Sequence, residues 1–280
     1  MSTRNCFQQV LSEILKYSFL LIVIFITLVP FLWIVLSSMK TNQDIFGSPM
    51  SLPKKLTLMS YKLAFELAPI TKYYLNSIVV TSVTTLTTIL LTTMSGYVLS
   101  RFNFKLKNAI VIVFTSAILI PYFSLAQPLF YILNKINLID TKSGLILVYS
   151  AFGLPVRLWI IRSYFLTIPK EIEESAYLDG ATYTRTFIKI MLPLAKPGIA
   201  TAATITFIDT WKEFFFALLL TSSDKARTLP VSLNYFVHFF SYNYSTMFAA
   251  MVVVTIPTII FFILMQEQVV KSLASGAVKG

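Results

Sequence analysis

The sequence predicts an all-α, polytopic membrane protein with six transmembrane helices, and three observations carry that prediction. Of the 280 residues, 56% are hydrophobic and only 12% are charged, with a mean hydropathy of +0.75; soluble domains are roughly a quarter charged. The apolar residues gather into runs at about 17–39, 74–98, 109–131, 144–165, 198–221 and 246–266, each long enough for the ~20 helical residues that cross a hydrocarbon core. Most basic residues fall in the short segments between runs, the pattern by which membrane orientation is encoded. The expected organisation is a single transmembrane domain over 1–280, with a charge-dense connecting loop at 169–197.

Composition also excludes several classes. The net charge of +11 would suit nucleic acid if it were clustered, but it is dispersed through loops, so no nucleic-acid partner is expected. Cys6 is the only cysteine and His238 the only histidine, which leaves neither a disulfide framework nor a metal site. The first apolar run, Tyr17 to Met39, is too long for a signal-peptide core and lacks a small-residue cleavage site after it. It reads as a retained anchor.

Taken in order, residues 1–16 form a polar tail carrying Arg4 and Lys16, and in the first run Pro30 is placed to kink the helix and Trp33 to sit toward an interface. A loop over 40–73 contains Pro49, Pro53 and an amphipathic stretch at 61–67. The second run is rich in hydroxyls, among them Thr81, Thr84, Thr88, Thr92 and Thr93. Hydroxyls let helices approach and hydrogen-bond, so this run is expected to face protein on most sides. The loop from Ser100 to Asn108 holds Arg101, Lys105 and Lys107 without an acid, which marks it as cytoplasmic. In the third run Pro121 and Pro128 flank Gln127; proline frees a carbonyl that neighbours or a cavity must satisfy, so a packing kink and a transmembrane path both stand as readings. The fourth run carries Pro155, Arg157 and Arg162. Arg162 can reach the cytoplasmic face, whereas Arg157 lies deeper and needs a partner or water.

The fifth run includes Asp209, Trp211, Lys212 and Glu213. A charge at mid-bilayer costs about 2.5–3.5 kcal/mol on insertion scales, so these groups must face protein or water. Asp209 and Lys212 are i,i+3 neighbours able to pair, while Asp209 and Glu213 at i,i+4 repel. An internal salt bridge that fixes packing and a polar path are both open. Residues 222–245 are expected outside, rich in Tyr and Phe, and the chain ends Ser275-Gly276-Ala277-Val278-Lys279-Gly280.

The segment 169–197 has specific punctuation. Pro169 suits the first turn of a helix, and Glu171, Glu173 and Glu174 complement its positive end. Gly180 offers a φ > 0 stop, Thr182 an N-cap for a second helix, and Pro193 and Pro197 close that helix. Such a helical hairpin is equally an inert connector, but its spacing is distinctive. Glu174-Ser175-Ala176, three residues, Gly180, nine residues, Ile190, one residue and Leu192-Pro193 resembles the coupling loop of importer-type ABC permeases. The one departure is Ser175, where the family usually has Ala. The Asn76-Ser77 segment, Gly96-Tyr97 with Ser100-Arg101-Phe102, and the C-terminal tail extend the resemblance over nearly the whole chain. They point to the carbohydrate-uptake branch, in pattern close to its maltose-type second permease subunits. The Trp-Asn-Glu-Phe motif of that branch stands here as Trp211-Lys212-Glu213-Phe214, with a charge added at Lys212.

The resemblance implies a permease subunit of a bacterial or archaeal plasma membrane, with both termini cytoplasmic and transport by alternating access. Its implied partners are a second permease subunit in a heterodimer, two ATP-binding subunits, an extracytoplasmic solute-binding protein and membrane lipid. It implies an ATPase-coupling set of Glu173, Glu174, Ser175, Ala176, Asp179, Gly180, Ala181, Ile190 and Pro193, with Gly276 and Lys279 in a tail toward the ATPase. Gln127, Asp209, Trp211, Lys212 and Glu213 form the candidate translocation path. No G-x-x-x-x-G-K-[ST] phosphate loop occurs in the sequence, so ATP and Mg are expected on the partner ATPase, with no cofactor and no catalytic residue in this chain. Competing readings are a secondary transporter or channel using the charges at 209–213, and a membrane-embedded enzyme. The solute stays open between a sugar, an oligosaccharide and a phosphorylated polyol.

Overall fold

In the computed structural model, which describes residues 3–53, 55–238 and 243–277, the apolar runs fold as helices. The long ones are α1 (Thr3–Ser38), α4 (Ile70–Arg101), α7 (Lys142–Thr167) and α14 (Tyr244–Ala277). Shorter helices connect them: α2 (Asn42–Gly47), α3 (Met59–Leu67), α5 (Lys107–Ile118), α6 (Ala126–Lys135), α8 (Glu171–Leu178), α9 (Tyr183–Thr186), α10 (Leu192–Leu194), α11 (Lys196–Trp211), α12 (Phe215–Leu220) and α13 (Asn234–His238). Four stretches are long and apolar enough to cross a membrane, namely Leu11–Ser38, Ile70–Arg101, Lys142–Thr167 and Tyr244–Gln266. Two further crossings are broken. Lys107–Ile118 and Tyr122–Lys135 meet at 96°, and Tyr183–Leu194 and Lys196–Trp211 meet at 72°. Counting each bent pair as one span gives six.

The breaks have local causes. Pro121 at φ −62°, ψ 113° has no N–H to continue α5 and disfavours helical backbone at the residue before it. Pro128 sits in the first turn of α6, where a proline is tolerated, and it breaks nothing. The fifth apolar run departs from the single helix expected over 198–221: α11 stops at Trp211, and residues 212–214 separate it from α12.

Chain proximity divides the described residues into two units. In one, built from residues up to Ala68 together with 233–254, the Trp33 indole N–H and the Lys40 ammonium each donate to the Pro49 carbonyl at 2.9 Å. Trp33 also meets Phe248 edge to face at 5.2 Å, and the Ser38 and Tyr61 hydroxyls pair at 2.7 Å.

The second unit, 69–232 with residues from 255 onward, is built on α4. This helix packs along α7, and α11 lies against both. A stripe at three- and four-residue spacing, Ser77, Thr81, Thr84, Thr88, Thr92 and Gly96, is buried, while Leu86, Leu90 and Met94 on the opposite side are exposed. The buried hydroxyls of α4 thus cover one side of the helix within this chain, while Ser82 is exposed and Thr87 and Ser95 are only partly covered. Glycine allows the approach: a Cβ on Gly96 would lie 3.1 Å from Ile161 and 3.2 Å from the Arg162 backbone, and one on Gly153 would lie 3.0 Å from Thr88. Between helices in lipid, such close van der Waals packing supplies much of the association.

At one end of this unit α4 holds the loop after α12. Asn76 donates from Nδ2 to the carbonyls of Asp224 and Arg227, the Ser77 hydroxyl accepts from the Leu229 N–H at 2.7 Å, and the Tyr73 hydroxyl donates to the Asp224 carboxylate at 2.6 Å. Asp140, in left-handed backbone at φ 58°, secures the same loop. Its carboxylate accepts the N–H groups of Ser222 at 2.8 Å and Ser223 at 2.9 Å, and its own N–H donates to the Leu220 carbonyl. Burial alone would raise the Asp140 pKa, but the hydrogen bonds from Ser223 and Ser222 outweigh it and hold the carboxyl below its usual value.

Two predictions follow from this packing. Gly153→Leu drives a side chain into Thr88 and is expected to cost about 1–3 kcal/mol, read as a lowered thermal midpoint in detergent; an unchanged midpoint would show that α4 and α7 can separate freely. Because the folded pKa of Asp140 is depressed, its contribution is complete above the unfolded value near pH 4 and is lost only as pH falls through the lower folded value. Asp140→Asn removes that contribution at neutral pH, so trypsin should nick the exposed Lys225 faster in the variant than in the parent.

Candidate functional site

Two constellations in the second unit gather the functional side chains singled out in the sequence. The first is the hairpin after α7. Helix α7 stops at Thr167, Ile168 is extended, and α8 begins at Glu171 with Glu171, Glu173 and Glu174 in its first turn, where carboxylates favour the positive end of the helix. Helical geometry divides the residues of α8 between two faces. Glu173 and Ala176 turn inward and are buried, while Glu174, Ser175 and Leu178, followed by Asp179 and Gly180, face out. Gly180 has φ +80° with open space around it, so the turn depends on glycine through backbone conformation and not through crowding. Its N–H bonds the Tyr177 carbonyl, and the Ala181 N–H bonds the Ala176 carbonyl at 2.9 Å, which closes α8. Thr182 then caps α9, its hydroxyl accepting the Arg185 N–H at 3.4 Å.

Beyond α9 the helix contains one irregular turn before it closes. The second helix runs on through α10 and stops at Leu194, between Pro193 and Pro197; Pro197 then sits in the first turn of α11. One turn at Phe187–Met191 is a π-turn, and the bend falls at Ala195. Ile190 is half-buried and Pro193 exposed. Leu178 is 89% exposed and Tyr183 64%, so the outward surface of the hairpin combines apolar side chains with the Glu174 and Asp179 carboxylates.

The buried side of α8 holds a contact the sequence does not announce. Arg101, the last residue of α4, places Nε 3.2 Å from the Glu173 carboxylate and donates from Nη2 to the Ile168 carbonyl at 2.7 Å. The two side chains are 5% and 8% exposed. Around them Tyr97 packs on Phe102, Phe165 and Phe187. Arg101 counted in the sequence only as a mark of orientation, and its presence in the Ser100-Arg101-Phe102 segment was the available signal.

The second constellation is a cavity of about 630 Å³ among the end of α11, the start of α12, α7 and the turn at 122–125. Tyr122, Phe123, Phe152 and Phe215 form an aromatic wall, and Arg157, Asp209, Lys212 and Glu213 supply the charges. Arg157, which needed a partner at depth, bonds the Asp209 carboxylate and donates from Nε to the Thr206 hydroxyl at 3.2 Å. Lys212 reaches the same carboxylate at 3.0 Å. Glu213 escapes repulsion from Asp209 by leaving α11: its carboxylate accepts the N–H groups of Phe216 at 2.8 Å and Ala217 at 3.0 Å, and the Tyr149 hydroxyl at 2.5 Å. The cavity therefore joins flat apolar faces to a charge set that balances itself.

Asp209, Lys212 and Glu213 come together here; the other two residues expected on a path do not join them. Gln127 is exposed in the first turn of α6, and Trp211 is buried, stacked on Phe207 at 5.8 Å and edge-on to Tyr74 at 5.7 Å. The aromatic wall went unnoticed among the 24 Phe and 14 Tyr of the chain, although the Pro121-Tyr122-Phe123 break offered a hint. Gly276 lies in the last turn of α14, and Lys279 falls outside the described residues. No group of three or more His, Cys, Asp or Glu able to hold a metal occurs among the described residues.

Comparison with known proteins gives consistent findings. A family model described as "Binding-protein-dependent transport system inner membrane component" matches residues 88–275. The trehalose/maltose transport system permease protein MalG of Thermococcus litoralis is 35% identical over 277 residues, covering 98% of this chain and 99% of its own length. The "Probable ABC transporter permease protein YurM" of Bacillus subtilis is 37% identical, covering 90% of this chain and 83% of its own. Among solved structures, a bacterial ABC transporter involved in import of the acidic polysaccharide alginate superposes with a TM-score of 0.79 at 21% identity, over 95% of this chain and 98% of the matched one.

Proposed function

The chain belongs to the family of binding-protein-dependent transport system inner membrane components and is a multi-pass permease subunit of an ABC importer, and on that premise we propose that it moves a sugar or oligosaccharide delivered by an extracytoplasmic solute-binding protein. The observation that carries the reading is the hairpin: a short helix fixed on its inner face, with Glu174, Ser175, Leu178, Asp179 and Gly180 presented outward between two spans. That surface suits a cleft on a cytoplasmic ATPase, with Leu178 and Tyr183 as apolar anchors and Glu174 as a charged contact. Two such ATPase chains, each carrying ATP and Mg, and a second permease subunit complete the transporter. This chain supplies no catalytic group.

In this reading ATP-driven closure of the ATPase pair moves the hairpin, and the spans swing between outward and inward access. Both termini, the loop at 100–108 and the hairpin then lie on the cytoplasmic side. The cavity by Asp209 supports a sugar as solute. Aromatic faces bury the C–H side of a pyranose ring, and the polar groups at Arg157, Thr206 and Lys212 meet its hydroxyls. Alginate and trehalose/maltose are the solutes named for the similar transporters, which favours a sugar over a polyol.

A tagged pull-down in mild detergent from the native membrane tests the assembly. A P-loop ATPase and a second six-span permease should co-purify, and Glu174→Lys should deplete the ATPase while the permease partner stays; recovery of the chain alone, still transporting without ATP, refutes the reading. Gly180→Val forces a branched residue into φ > 0, at roughly 1–2 kcal/mol, and is expected to insert normally while uptake of the solute collapses. Normal uptake by that variant removes the hairpin from the mechanism.

A further inference from the structure

We infer that Arg101 and Glu173 form an internal strut that carries movement of α8 into α4, which makes both positioning residues for coupling. The inference rests on the proposed role of the hairpin and goes beyond it. Docking explains what the outer face of α8 meets; the strut explains how its inner face passes force to the rest of the chain.

Four observations support it. First, Glu173 is withdrawn from the outer face on which Glu174 stands, and is almost fully buried against the end of α4. Second, Arg101 grips the hairpin at two separate points, the Glu173 carboxylate on α8 and the Ile168 carbonyl before it. A guanidinium can hold both in fixed geometry, which a lysine or an apolar side chain cannot. The exposed pairs Lys16–Glu13 and Lys62–Glu66 have no such constraint. Third, α4 is a suitable lever. It is continuous from Ile70 to Arg101, and at ~1.5 Å per residue the distance from Ser77 to Arg101 is about 36 Å. Its far end holds the loop at 224–229 through Asn76 and Ser77. Displacement of α8 is therefore delivered to the opposite end of the same unit by one rigid element.

Fourth, the contact between the two helices extends beyond the ion pair. The Tyr97 hydroxyl, one turn before Arg101, lies beside Glu173 and Tyr177, so α4 meets the inner face of α8 through two successive turns.

The test uses the complete transporter, with this chain, its partner permease and the ATPase pair purified together, reconstituted in proteoliposomes and supplied with the binding protein. Solute moved per ATP hydrolysed is compared for the parent, Glu173→Gln, Arg101→Gln and the charge swap R101E/E173R, and ATPase co-purification is followed alongside. Each single variant is expected to retain the ATPase yet lose about tenfold in solute moved per ATP, within the range of coupling free energies between sites. The swap restores the ion pair but not the bond to the Ile168 carbonyl, so it is expected to recover part of that loss. Parental transport per ATP in both single variants overturns the strut, as does a folded swap no better than the single variants. Loss of the ATPase with Glu173→Gln also overturns it, because Glu173 would then act in docking. If even the parent chain binds no ATPase, the hairpin reading fails first, and that result is separate from any effect of the variants. Where a single variant does not accumulate, the swap decides: restored abundance without restored transport per ATP counts against the proposal.

Discussion

Helix α4 comes so close to α7 because two glycines and a line of hydroxyls stand where larger side chains would hold the helices apart. Much else depends on that approach. With α7 fixed on α4, α11 can lie against both, and the hairpin emerging from α7 starts beside the last turn of α4. Arg101 meets Glu173 for that reason, although the two are far apart in sequence. At the other end the same alignment brings Asn76 and Ser77 under the loop that follows α12. Close packing at the centre of α4 thus sets the geometry at both of its ends.

A second constraint comes from charge in a medium that solvates it poorly. Arg157, Asp209, Lys212 and Glu213 would be costly as separate groups. The chain resolves this by letting Asp209 serve two cations and by ending α11 before Glu213, which then caps α12. The interruption of the fifth span falls where its charges are, at Lys212 and Glu213. The residues of that interruption, Lys212, Glu213 and Phe214, line the cavity together with Tyr149 and Tyr122.

The number and order of apolar runs were legible because hydropathy is a local property of sequence. The hairpin was legible for a similar reason: Gly180 at positive φ and Thr182 as an N-cap are decisions made within three or four residues. Where the reading missed, the cause was tertiary. Pro193 and Pro197 bracket the end of the second helix as read, but the π-turn before them, beside Met191 in the apolar cluster with Tyr97 and Phe165, has no signal in the local sequence. Asp209 and Glu213 looked like neighbours on one helix face until tertiary partners drew Glu213 away. The Arg101–Glu173 contact joins distant segments, and a single sequence carries no signal of such a pairing beyond the presence of two opposite charges.

The π-turn at Phe187–Met191 gives the spacing between Gly180 and Pro193 a meaning beyond composition. A π-turn holds one residue more than an α-turn while the helix on either side keeps nearly the same azimuth, so the extra residue is absorbed locally. Removing one residue here would let the turn relax to α-helix and leave Tyr183 almost where it stands, whereas a deletion within the regular helix α8 would turn the residues beside it by about 100°. The turn at Phe187–Met191 is therefore the place in this hairpin where a change of one residue in length disturbs the orientation of its flanks least.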